Sequence, residues 1–188
     1  MGTGRDGSVS DVDPGLNVRG WDALAPGIWR GGPEDAPQLA VVGGIHGDET
    51  AGVHLVQALL RDLDTATLRW NLHLAVGNPE AVNAGVRQLD SDLNRAFGEE
   101  APAGGVEGGR AATLRSSLGR SRLLLDVHQT HCDTPPLAVV KDTQAHLALA
   151  CALGLDTAVV DAGRIYGDTM LADLADAGGG LGLTIESG

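Results

Sequence analysis

Short apolar runs alternate with segments of helical spacing along most of this chain, and that alternation restricts the fold more than any other feature. QLAVVGGI (38–45), LRWNLHLAVGN (68–78), RLLLDVHQ (122–129), PLAVVKD (136–142), DTAVVD (156–161) and LGLTIESG (181–188) read as strands. Between them, DETAGVHLVQALLRDL repeats Val53, Leu55, Val56, Leu59, Leu60 and Leu63 at helical spacing. Asn78-Pro79 opens a short helical turn, residues 111–118 read as a helix, and TQAHLALACALG reads as another, closed by Gly154. The pattern predicts an α/β protein with a mixed, largely parallel sheet flanked by helices. QLDSDLNRAF is too polar for a core segment, and FGEEAPAGGVEGGR reads as surface loop. Residues 1–36, rich in Gly, Pro and Asp, read as a flexible or edge-strand lead-in, and 37–188 as the functional core.

Composition narrows the partners. The chain of 188 residues carries a formal charge of −12, which opposes unspecific binding to nucleic acid or to an anionic membrane. Only Lys141 among the 13 basic residues is lysine. No run approaches the roughly 18 apolar residues of a spanning helix, and the first residues lack the apolar stretch of a signal peptide, so a cytoplasmic protein is expected. Two cysteines, Cys132 and Cys151, make no disulfide framework and read as reduced and structural. Aromatic residues are 3% of the chain, so the core must be aliphatic.

Chemistry concentrates where the expected strands end. GGIHGDET, residues 43–50, leaves a strand with three glycines, a histidine and two carboxylates. Glycines in this position can cradle a phosphate, but Asp48 and Glu49 would repel one, and the Lys-Ser/Thr pair of a phosphate loop is missing. A metal site fits better. His46 and Glu49, three residues apart, together with His128 at the end of a later strand, offer two imidazoles and a carboxylate, the donor set of a catalytic zinc that keeps one position open. Ligands of open α/β sheets gather at the carboxyl ends of strands, so His46, His128 and Glu186 are expected to converge. His131 is a rival ligand in HQTH, while His54, His73 and His146 read as packing or surface histidines.

Four stretches, GGIHGDET, GNPEAVNAGVRQLDSDLNRAF, LLLDVHQT and LTIESG, follow one another in an order that resembles the succinylglutamate desuccinylase/aspartoacylase family of the zinc carboxypeptidase superfamily. The resemblance implies one zinc per chain held by His46, Glu49 and His128, with Glu186 as catalytic base. It implies that Arg87 stabilises the oxyanion, that Asn94 and Arg95 hold a substrate carboxylate, and that Asp92 orients the first histidine. The implied activity is hydrolysis of the amide bond of a small acidic N-acyl amino acid; a carboxypeptidase acting on short peptides and a non-catalytic metal-binding domain are the alternatives. Arg164 and Tyr166 either reach the substrate or lie on a surface loop. Family members continue past the glutamate into a smaller β-rich region, whereas this chain stops two residues after Glu186. A shortened member or part of a longer product is therefore expected, with a frayed last strand that holds Glu186 poorly.

Overall fold

A computed structural model describes residues 18–98, 104–160 and 170–188. Its centre is an eight-stranded sheet built from β1 (Asp22–Ala25), β2 (Ile28–Gly31), β3 (Gln38–Gly43), β4 (Asn71–Val76), β5 (Leu123–Gln129), β6 (Leu137–Val140), β7 (Ala158–Val160) and β8 (Leu181–Ser187), in the order β1-β2-β4-β3-β5-β8-β6-β7. The four inner strands β4, β3, β5 and β8 run parallel, while β2 joins β4 and β6 joins β8 antiparallel. Helices α1 (Thr50–Asp62), α2 (Pro79–Ala84), α3 (Gly105–Leu118), α4 (Gln144–Ala152) and α5 (Asp173–Ala177) complete the described chain. This is the mixed, largely parallel sheet flanked by helices that the sequence pattern predicts. Among the described residues, no helix is long and apolar enough to cross a membrane.

Strand periodicity explains the two cores. Successive side chains of β3 point to opposite faces. Ala40 and Val42 join Leu114 and Leu118 of α3 on one face, while Leu39 and Val41 pack with Val53, Val56 and Leu60 of α1 on the other. Burial on both faces is why β3 reads as a continuous apolar run; β4, buried along its whole length, alternates Leu72, Leu74 and Val76 with Asn71, His73 and Ala75. A third cluster, including Ala138, Val140, Leu183 and Ala150, lies under α4.

The lead-in carries the edge strand that its sequence allows: β1 lies at the edge of the sheet with β2 beside it, and Ile28 and Trp29 of β2 are buried, one in each main core. Four differences from the sequence reading follow. In the segment read as too polar for core, Leu93, Ala96 and Phe97 pack into the α3-side cluster. Residues 105–110 of the expected surface loop are instead the first half of α3, which starts at Gly105 and buries Glu107 completely. Both cysteines are exposed, so neither has a packing role. The last strand is also paired on both sides: Glu186 stands opposite His128 of β5 and Leu137 of β6, and Ser187 bonds residues 128 and 130.

α1 packs unusually close to the sheet. A Cβ at Gly43 would overlap the backbone of Gly52, and one at Gly52 would overlap the carbonyl of Val127. The two glycines bring the start of α1 down onto the ends of β3 and β5. Gly52→Ala is expected to lower stability by about 1–3 kcal/mol through overpacking, read as a lower urea midpoint at an unchanged slope.

Another buried group sets a pH dependence. His73 of β4 bonds Asn71 Oδ1 at 3.1 Å through Nε2, and its buried Nδ1 has no partner. Burial, reinforced by nearby Arg30, lowers its pKa from 6.5 to about 4. The unfolded chain then binds a proton that the folded chain refuses, so this contribution is intact above pH 6.5 and is lost as pH falls toward 4. His73→Gln should lose less stability than the wild type across that window in paired denaturation curves; equal losses would remove His73 as the source.

Candidate active site

The carboxyl ends of the parallel strands collect the functional side chains. From β3 the chain passes through α1 to β4 on one side, then through α3 to β5 on the other, so a crevice opens beyond the ends of β3 and β5. Gly44, at φ +71°, turns the chain as it leaves β3 and begins the loop that presents His46 and Glu49. His128 and Glu186 are neighbours across β5 and β8.

Glu49 is the hub. Its residue is the N-cap of α1, yet the carboxylate makes no capping bond. It accepts instead from Nδ1 of His46 at 2.7 Å, Nδ1 of His128 at 2.9 Å, Nη1 of Arg87 at 3.0 Å and the backbone N–H of Gln129 at 3.1 Å. The Gln129 side chain accepts from the Ala51 N–H at 3.2 Å and serves the helix end that Glu49 leaves unserved. Each imidazole is also held from behind: His46 Nε2 by Asp92 at 3.1 Å, and His128 Nε2 by Asp126 at 2.9 Å. The two rings lie 5.0 Å apart.

Both histidines therefore stand between two carboxylates. Burial opposes their charging, but Asp92 and Glu49 raise the pKa of His46, and Asp126 and Glu49 raise that of His128 well above its ordinary value. Burial likewise pushes Glu49 up, and is outweighed by His128 and His46, which hold it far below the usual carboxylate range. The contacts to Glu49 need one Nδ1 proton from each ring. A divalent cation carries the same charge as those two protons and would take both nitrogens as lone-pair donors. One ligand atom from each of His46, Glu49 and His128 lies within 4.8 Å of the others, and all three residues are buried. With Nε2–H given to Asp92 and Asp126, both Nδ1 lone pairs face inward. Asp126 Oδ1, buried without a partner, adds further negative charge behind His128. The donor set fits zinc.

A cleft of about 260 Å³ opens beside the three residues and is also lined by Arg87, Asn94, Arg95, Met170 and Glu186. Its size suits a ligand of amino-acid dimensions rather than a drug-sized molecule. Asn94 is buried, and its Oδ1 accepts from the Leu171 N–H at 3.0 Å, which fixes the amide so that Nδ2 remains the donor end. Arg95 bonds the Asn94 carbonyl at 2.9 Å, and Arg87 is held by Glu49 with Asp92 3.9 Å away. Burial raises the pKa of Glu186; the attraction of His128 and His46 opposes it, and repulsion from Glu49 and Asp126 adds to it. His131 also lines the cleft but is exposed and stands outside the three-residue cluster.

The residues singled out in the sequence thus meet in one place, apart from Arg164 and Tyr166, which lie outside the described residues. Sequence reasoning missed Asp126 and Gln129. For Asp126 a signal existed: a lone carboxylate in an apolar strand, two residues before His128 and so on the same face.

Comparison with known proteins places the chain in a family. The model of the succinylglutamate desuccinylase/aspartoacylase catalytic domain matches residues 35–188. A succinylglutamate desuccinylase of Burkholderia pseudomallei (strain 1710b) is 41% identical over 117 residues, 54% of this chain and 34% of that protein. One from Burkholderia orbicola (strain MC0-3) is 32% identical over 216 residues, 98% of this chain and 59% of that protein. The crystal structure of the Chromobacterium violaceum succinylglutamate desuccinylase superposes with a TM-score of 0.69 at 22% identity, covering 88% of this chain and 60% of that one, a likeness of fold. The chain spans only part of the length of these relatives. Its match to the catalytic-domain model over residues 35–188 makes it a member of the succinylglutamate desuccinylase/aspartoacylase family.

Proposed function

We propose that residues 37–188 form the catalytic core of a zinc-dependent hydrolase that cleaves the amide bond of a small acidic N-acyl amino acid. The observation that carries this reading is the pair of imidazoles turned toward Glu49 and locked from behind by Asp92 and Asp126, with Glu186 beside them. His46, Glu49 and His128 would hold the ion. When bound, zinc supplies Lewis acidity toward the scissile carbonyl and a lowered pKa for water.

The chain's own residues do the rest. Arg95 and the Nδ2 of Asn94 anchor the substrate carboxylate, a match of donors to a planar anion. Arg87 opposes the negative charge that builds on the carbonyl oxygen, a contribution of about 2.7–4 kcal/mol for a well-aimed donor. Glu186 takes a proton from the attacking water and delivers it to the departing amine; its raised pKa favours holding that proton between the two transfers. The names of the two Burkholderia relatives, both succinylglutamate desuccinylases, favour an acidic acyl amino acid over a peptide.

Elemental analysis should find one zinc per chain in the wild type and little in His46→Ala or His128→Ala. Protein that binds no metal after zinc is supplied at neutral pH would overturn the reading. In a panel of N-acyl amino acids set against short peptides, turnover is expected for the former, and peptide cleavage alone would transfer the assignment to a carboxypeptidase. Glu186→Gln should keep its zinc and lose turnover by about 10²–10⁴-fold; near-normal activity would mean that the base lies elsewhere.

A further inference from the structure

Besides Asp126, which backs His128, one carboxylate outside the metal cluster is buried completely among the described residues: Glu107, in the first turn of α3. Its Oε1 accepts from the Leu89 N–H at 2.7 Å and from Asn78 Nδ2 at 3.2 Å. Its Oε2 accepts from the N–H groups of Asp90 at 3.0 Å and Ser91 at 3.3 Å. Three successive backbone amides aimed at one point make an anion-binding concavity. Here the chain supplies the anion itself. Burial alone would push the Glu107 carboxyl up, but the amides of Leu89 and Asp90 and the side chain of Asn78 outweigh it and hold the pKa below the ordinary value, so the group is ionised at neutral pH.

The grip is reciprocal. Asp90, from the loop, accepts from the Val106 N–H at the start of α3 at 2.8 Å, while Glu107, from α3, accepts from the loop. The gripped loop carries Arg87, Asn94 and Arg95 of the cleft's polar lining. On one side of residues 89–91 lies Arg87, whose carbonyl also accepts from the Gly47 N–H at 3.1 Å, beside His46. On the other side lies Asp92, which holds His46 and accepts from the Asn94 N–H at 2.9 Å, so the turn bearing Asn94 and Arg95 is fixed from the same base.

We infer that Glu107 is a positioning residue, an internal anion that sets the 86–95 loop and through it the placement of Arg87, Asn94 and Arg95 against the metal ligands. It acts only through that loop, and its consequence for turnover rests on the roles proposed above for those three side chains. A misplacement of about 1 Å in such groups can cost about 10²-fold in rate.

Glu107→Gln keeps the shape but turns a donor toward amides that need an acceptor. In the zinc-loaded variant, assayed well below its unfolding midpoint, kcat/KM for the best N-acyl amino acid should fall at least about tenfold with KM raised, while zinc content and circular dichroism match the wild type. Amide hydrogen exchange should quicken across 86–95 and stay unchanged in β3 and β5. Wild-type KM and kcat/KM in the folded variant would overturn the inference, since loss of stability alone leaves both untouched at low temperature. If the variant fails to fold, exchange in the wild type decides: slow Leu89, Asp90 and Ser91 amides support the grip, and unprotected ones refute it. Should the wild type hydrolyse no N-acyl amino acid, the proposed activity fails, and the exchange measurements still judge Glu107 separately.

Discussion

Everything at the mouth of the sheet depends on one carboxylate taking four donors. Glu49 ties the loop after β3 to the end of β5 through His128 and Gln129, and to the 86–95 loop through Arg87. A helix N-cap would ordinarily turn its oxygen toward the helix amides. Glu49 turns away, and the Gln129 side chain serves the start of α1 in its stead. The local rule is broken where chemistry is gathered, and the compensation comes from a strand 80 residues away in sequence.

That hub is affordable only because the surroundings are rigid. Gly43 and Gly52 let the backbone of α1 rest directly on β3, so Glu49 sits at the end of a helix with no side-chain cushion beneath its first turn. Buried charges need partners with good geometry, and the carboxylates behind the histidines differ in support. Asp92 is braced by the Asn94 amide, and Asp126 lies in a central strand between β3 and β8. Precision at the three ligands is thus inherited from strand register and from glycine contacts, not from the ligands alone.

How much of this was legible in the sequence depends on whether the cause was local. β3, β5 and β8 announce themselves by apolar runs, and β4 by the alternation of Leu72, Leu74 and Val76. Their polar ends, His46, His128 and Glu186, follow from the rule that parallel strands present ligands at one edge. The start of α3 was hidden for the opposite reason. Gly105, Gly108 and Gly109 have poor helix propensity, and that turn is held from a distance, Glu107 accepting from the Asp90 N–H and Asp90 from the Val106 N–H. Leu93 and Phe97 were masked in the same way, since their neighbours Asp92, Asn94 and Arg95 are polar for the sake of the cleft.

The order of the strands carries a temporal consequence. β3 and β5 pair directly, so His46, Glu49 and His128 can come together as soon as the chain through residue 129 has folded. β6 and β7 have no such link to the inner sheet and are joined to it only when β8 slides between β5 and β6. Glu186 arrives on that same strand. During synthesis the cluster of His46, Glu49 and His128 can therefore precede Glu186, and the insertion that joins β6 and β7 to the sheet is also the event that brings Glu186 beside His128.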